Sequence, residues 1–491
     1  MRLSYHLVAP ELVITGAACV VLLLDLALRG AMRVVAGYIS AVAVIVAGII
    51  AATNLGQTPR TTLGGMFALD QFAVVLKLVF LGVALFVVWL AIPPLRGHRY
   101  EGEFYFLFLC SVLGTLLMPS SRDLLTLFIA LELVSAPAFV MAGLRKLNPR
   151  SNEAALKFFL FGVLSAGVLV YGISLVYGAA GTTNLARIAA AVNPTAGHPQ
   201  PLLLVGVVFV VAAFGFKVSA VPFHFWAPDT YEGSPTPLAA YLSVGSKAAG
   251  FVGLLLILIT AFSHLQHFWG PMVGAIAIAT MTVGNVVALR QRHLVRLLAY
   301  SSIGHAGYML IPIALIRRHG GTIGATNAIL IRSLVVYLVV YAVMNLGAFA
   351  VAVGVSKQYP TLLVRDLAGF GRRAPVPAIA MAAFLISLGG VPPFVGWFAK
   401  FAIFLAAIRV GSVLGTLLAV MMVVNSVISL YYYVGVVRVM YLQDAEDTGT
   451  VSFPRPIAAA VAAAMAGVVA FGVYPEPIVR LAAAARLAVR L

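Results

Sequence analysis

Fourteen apolar runs leave this chain only one solvent to fold in. They fall at roughly 7–29, 33–53, 68–93, 103–118, 123–143, 153–178, 202–221, 236–262, 268–289, 293–315, 326–355, 375–407, 411–440 and 456–474. About 20 apolar residues in a helix cross a hydrocarbon core roughly 30 Å thick. Inside lipid every backbone donor needs an internal partner, so only helices or a closed barrel can span it. The runs are continuously apolar rather than alternating, which excludes a barrel. The expected fold is therefore an all-α polytopic membrane protein of about 14 helices. Only 10% of the residues are charged, against about 25% in an ordinary soluble domain. A net charge of +17 would suggest nucleic acid in a soluble protein. Here it belongs to basic loops facing the lipid bilayer, and no nucleic-acid partner is expected. Cys19 and Cys110 stand alone in apolar runs, so neither a disulfide framework nor a metal site is indicated. The first run carries Glu11 and Asp25 and shows no clear cleavage site, which argues against a cleavable signal.

Loops after odd-numbered runs hold sixteen basic residues, among them Arg29, Arg145, Arg292 and Arg373, and the opposite side holds ten, among them Arg2, Arg318 and Arg490. The bias places both termini on the outer face. Residues 475–491 mix arginines with alanine and leucine and read as a short interfacial helix. Two runs are broken by proline. Val221-Pro222-Phe223-His224-Phe225-Trp226 resembles Val391-Pro392-Pro393-Phe394-Val395-Gly396-Trp397, and the two runs lie five spans apart. Proline removes a donor and clashes with the preceding turn, so the helices must kink or stop near Pro222 and Pro392. Interrupted helices in corresponding positions of two halves point to a transport site. The division that follows is 1–100 for three leading helices, 101–265 and 266–442 for two inverted five-helix repeats, and 443–491 for the last helix and tail.

Charge inside these runs is costly and marks function by default. The chain has seven lysines, and only Lys146 and Lys357 lie in loops. Lys77, Lys157, Lys217, Lys247 and Lys400 lie within runs, although the other 25 basic residues are arginines. Lysine can lose its proton when desolvated, whereas arginine effectively cannot. The pattern fits a requirement for reversible protonation. Glu132 lies about 14 Å into the fifth run, near the middle of the core. Lys217, in the body of the seventh, is its natural partner, as a working pair or as a static one holding two helices together. His224 follows the first break and could pass a proton toward Lys247. Tyr300 and His305, with Ser301 and Ser302 between them, give the tenth run a polar face suited to relay or to interhelical hydrogen bonding. Lys157 is near the start of its run and can snorkel, so it ranks below the central lysines. Asp70 and Lys77 read as a local pair on the third run. No nucleotide loop, cysteine cluster or paired haem ligands are visible.

The stretches FGFKVSAVPFHFWAPDTYEGSPTPLAAYLSVGSKAAGF, GNVVALRQRHLVRLLAYSSIGHAGYML and ISLGGVPPFVGWFAKF, with Leu131-Glu132-Leu133, resemble the antiporter-like subunits of respiratory complex I. The fourteen-span layout extends the resemblance to nearly the whole chain. It is nearest to the branch called N, the counterpart of mitochondrial NADH dehydrogenase subunit 2. Lys400 and the absence of a long lateral helix after the last span both fit that branch. The sequence departs at Val295, where a lysine often precedes Arg-Leu-Leu-Ala-Tyr. The resemblance implies a bacterial inner-membrane subunit that translocates protons while quinone is reduced elsewhere. Glu132 and Lys217 would form a tunable pair, Lys217 would pass a proton by His224 and water to Lys247, and Lys400 would lead to the exit. It implies no cofactor bound by this chain, NADH and quinone used by the whole complex, and further membrane subunits as partners. A subunit of a multi-subunit cation/proton antiporter or of a membrane-bound hydrogenase would carry the same motifs. A stand-alone secondary transporter and a structural spacer are the remaining alternatives.

Overall fold

Polar side chains at the ends of the apolar runs start the helices. Asp70 accepts from the Ala73 amide, Asp123 from Leu125, Asn148 from Arg150 ahead of Pro149, and Ser412 from Gly415. Each satisfies a donor that a first helical turn leaves without a partner. The computed structural model describes residues 4–27, 33–192, 201–317, 324–445, 449 and 451–488. In chain order the helices are α1 (Ala9–Ala27), α2 (Val34–Ala52), α3 (Gln71–Leu95), α4 (Glu101–Leu117), α5 (Leu124–Ala142), α6 (Pro149–Ala180), α7 (Leu185–Ala191), α8 (Pro201–Lys217), α9 (Trp226–Gly233) and α10 (Thr236–Tyr241). They continue as α11 (Lys247–Thr260), α12 (Gln266–Ala288), α13 (Leu294–Leu315), α14 (Ala325–Ser356), α15 (Phe370–Arg373), α16 (Pro375–Gly389), α17 (Val395–Arg409), α18 (Val413–Leu442), α19 (Arg455–Val473) and α20 (Glu476–Ala484).

Among the described residues, twelve helices are long and apolar enough to cross a membrane. The expected seventh and twelfth runs contain instead two shorter apolar helices, α8 and α16. Each stops before its proline and resumes beyond it, as α9 and α17. The all-α polytopic expectation holds. One detail differs: Lys217 is the last residue of α8 rather than a residue of its body. The Ala220 amide reaches back to the Gly215 carbonyl, and Ser219 takes a positive φ of 58°. The helix therefore unwinds ahead of Pro222, which has no donor to continue it. The eighth run also differs in detail, because α10 passes into α11 through a π-helical turn at Leu242–Ser246.

Burial sorts the helices into a centre and a rim. The most apolar stretch of Thr236–Thr260 is wholly buried, and those of α13 and α14 are 94% and 89% buried. Those of α6, α18 and α19 are only 28–33% buried, so they present apolar side chains to the surroundings. A chain surrounded by lipid needs no polar exterior, and its charges are free to gather in the middle. A two-stranded antiparallel hairpin, β1 (Arg60–Thr62) and β2 (Phe67–Leu69), precedes α3 where the sequence suggested the third run had begun. The expected tail helix is present as α20, and the backbone beyond it returns to α3, with Ala488 N donating to Asp70. Arg2, Arg29, Arg318 and Arg490, four of the residues weighed for orientation, lie outside the described residues.

Candidate proton-relay site

Three of the five intramembrane lysines end in neutral company. Lys217, 3% exposed, donates to the Ser135 hydroxyl at 2.8 Å. Ser135 lies one turn beyond Glu132 on α5. Glu132 is partly exposed on that helix and within electrostatic reach of Lys217. Lys217 and Glu132 therefore face each other without a direct ion pair, and the amine is held by the Ser135 hydroxyl instead. Gly250 on α11 makes room for the amine's stem: a Cβ there would meet Lys217 Cγ at 2.9 Å.

Lys247 opens α11 immediately after the π-helical turn, 1% exposed. Its amine donates to both the carbonyl oxygen, at 3.1 Å, and the hydroxyl of Ser302. Single wide turns of this kind often sit at functional sites because they re-aim one side chain. From Ser302 the polar face of α13 continues. Ser301 shares a hydrogen bond of 2.5 Å with the Tyr433 hydroxyl. His305 joins Tyr433 through Nε2 at 3.2 Å and Tyr337 through Nδ1 at 2.7 Å. On a helix, residues 301, 302 and 305 share one side. Tyr300 is partly exposed and forms none of these bonds, so it does not join the cluster.

Lys400, in α17, donates to the Gly389 carbonyl at 2.9 Å, the last residue of α16 before the break. Its amine lies 5.1 Å above the Tyr308 ring, a favourable place for a cation. The adjoining Gly390 adopts φ 87°, and a Cβ there would meet Lys400 Cδ at 2.7 Å. Glycine is needed for both reasons. Lys400 also borders a cavity of about 370 Å³ lined by Trp397, Ser426 and Leu430 on the α17–α18 side. Tyr308 in turn accepts from Asn285 at 3.0 Å, and Asn285 accepts from Tyr432.

The remaining candidates lie apart. His224 is buried between α8 and α9, and its Nδ1 has no partner. It joins neither Lys217 nor Lys247 directly. Lys157 is bound at 2.6 Å to both Glu153 and Asp229, in a partly exposed ion network near the start of α6. Lys77 is bound to Glu11 on α1 rather than to Asp70, which holds Arg122. Among the described residues, Lys217, Lys247 and Lys400 touch no carboxylate, whereas Lys77 and Lys157 do. Sequence reasoning followed charge and so missed the neutral groups, namely Ser135, Asn285, Tyr308, Tyr337, Tyr432 and Tyr433. The signal available was polar side chains within apolar runs. Nor do the described residues bring three or more His, Cys, Asp or Glu together in a metal-holding group.

Comparison with known proteins gives the family. The family model described as NADH:quinone oxidoreductase/Mrp antiporter, TM, matches residues 121–429, which include Glu132, all three central lysines and both breaks. The chain belongs to the NADH:quinone oxidoreductase/Mrp antiporter family. Among members of that family it is 37% identical to NADH-quinone oxidoreductase subunit N of Trichlorobacter lovleyi, over 98% of this chain and 96% of that one. It is 38% identical to F(420)H(2) dehydrogenase subunit N of Methanosarcina mazei, over 96% and 97% of the two chains. A chain of respiratory complex I from Thermus thermophilus superposes with a TM-score of 0.78 at 31% identity, over 96% of this chain and 99% of that one.

Proposed function

We propose that this chain is an N-type proton-translocating subunit of an NADH:quinone oxidoreductase. It works in a bacterial inner membrane with both termini on the outer face and further antiporter-like subunits as neighbours. Its two repeats, 101–265 and 266–442, each contribute a broken helix. Protons move along Glu132, Lys217, His224, Lys247 and Lys400, with His305 and its tyrosines bridging the last two. Water completes the step through His224, whose Nδ1 has no hydrogen-bond partner among the described residues. NADH and quinone act in other subunits. The observation that carries this reading is the division among the lysines. A lysine fixed to a carboxylate is a structural cation, whereas one held by a hydroxyl or a carbonyl can release its proton without stranding a buried anion against it.

Purifying the assembly from native membranes tests the proposal. Subunits carrying NADH oxidation and quinone reduction should co-migrate with this chain, and recovery of the chain alone in functional form rejects it. The relative in Methanosarcina mazei bears the name of an F(420)H(2) dehydrogenase subunit, so the co-purifying input subunits also decide the electron donor. A smaller test concerns Gly250. Gly250→Ala should lower proton uptake several-fold in vesicles holding the assembled complex, because the new methyl displaces Lys217. Gly16→Ala, with nothing within 4 Å of the added carbon, should be silent. Equal behaviour of the two variants would show that Lys217 tolerates displacement.

A further inference from the structure

The helix beyond the break in the seventh span, α9, is anchored by contacts of two kinds. At the start, Trp226 donates to the Phe216 carbonyl at 3.1 Å and stacks on Phe158 of α6, with ring centroids 4.4 Å apart. In the same first turn Asp229 takes Lys157 of α6 at 2.6 Å and Arg296 of α13 at 2.5 Å. Arg296 also reaches Glu232 at 3.1 Å. This eight-residue helix is thus tied by charge to α6 on one side and to α13 on the other.

Between the two clamped acids lies Tyr231. It is 1% exposed, and its hydroxyl lies near Ser302 but makes no hydrogen bond among the described residues. Ser302 is the residue on which Lys247 places its amine. Ser302 and Arg296 are six residues apart on α13, about 9 Å along its axis. A rigid stretch of α13 therefore has the ion network at one end and the lysine's acceptor at the other, and α9 touches both. Val295 is buried beside Arg296. Here the α13 side of the clamp rests on Arg296.

We propose that Asp229 is a positioning residue for Lys247. Held by Lys157 and Arg296, it keeps α9 where Tyr231 bears on Ser302, and so fixes the hydrogen bonds that hold the Lys247 amine. This rests on the reading of Lys247 as a relay group. Lys157 then contributes to proton transfer by anchoring a helix rather than by carrying the proton.

The test uses the assembled complex in inverted membrane vesicles. NADH oxidation and proton uptake are measured for Asp229→Asn, Asp229→Glu, Tyr231→Phe, Tyr341→Phe and Lys247→Ala. The amount of complex is determined by subunit staining. Tyr341 of α14 also lies against Ser302 but has no tie to the ion network, so it serves as the control. Asp229→Asn and Tyr231→Phe should each slow proton uptake about fivefold per assembled complex. Asp229→Glu should recover most of the rate. The double variant Asp229→Asn with Tyr231→Phe should be no slower than either alone. If Asp229→Asn does not assemble, Tyr231→Phe and Arg296→Lys carry the test, because one keeps the buried ring and the other keeps the charge. Losses that multiply in the Asp229–Tyr231 pair overturn the proposal. So does normal uptake by Tyr231→Phe alongside a damaged Lys247→Ala, which leaves the relay reading intact. A silent Lys247→Ala overturns the relay reading and the positioning role together.

Discussion

Lys217→Arg should stop proton uptake nearly as completely as Lys217→Ala. The two substitutions do opposite things to the site. Arginine keeps the positive charge near Glu132 and can still donate to Ser135, but it does not give up its proton at any working pH. Alanine removes both charge and proton. If Lys217 were only a fixed cation, arginine would be the mild replacement and alanine the severe one. If Lys217 carries the proton, both should cost about a hundredfold or more in proton transfer, as loss of an acid–base group does elsewhere. Glu132→Gln should also impair uptake, because it removes the anion near Lys217 while nearly preserving shape. Glu132→Asp should be milder. Proton uptake and quinone reduction in vesicles of assembled variant complexes provide the measurement. Normal pumping by Lys217→Arg would leave a static charge as the better account.

The legible part of this protein was the part written in strong terms. Long apolar runs and the two prolines located nearly every helix and both breaks, because lipid allows few alternatives for a backbone. Charge in those runs singled out Glu132 and the three central lysines for the same reason. Exact stopping points were not legible. Lys217 lies at a helix end because Ser219 and Ala220 unwind ahead of Pro222, which no periodicity encodes. Nor did the π-helical turn before Lys247 leave a mark in the sequence. The neutral partners were hidden for a different reason. Ser135, Tyr337 and Tyr433 are ordinary residues in a membrane helix, and what makes them notable is the side chain from elsewhere that they meet. Asp70 and Lys77 show the limit of local spacing. Two turns on one helix suggested one pair, and the fold made two, with Glu11 and Arg122 as the true partners.

That second pairing leads to the other large effect. Lys77 lies 2.6 Å from Glu11, with side-chain exposures of 0% and 5%. Its amine also lies 4.6 Å above the Phe67 ring of the hairpin. Among the described residues, neither the amine nor the two carboxylate oxygens has a hydrogen-bond partner besides this contact. Such a pair contributes little net stability, since desolvation offsets the attraction, but removing one member leaves a bare buried charge. Lys77→Met alone and Glu11→Leu alone should therefore each destabilise the chain by about 3–5 kcal/mol. Either should reduce the amount of assembled complex and lower its thermal midpoint. The double variant Glu11→Leu with Lys77→Met leaves no charge behind, so it should recover most of the lost stability and pump protons at the normal rate. Thermal unfolding and proton uptake of the purified complexes separate the cases. A double variant that assembles well but no longer pumps would move Lys77 into the relay. One no better than the single variants would mean that the volume of the two side chains, not their charge, is what α1 and α3 require.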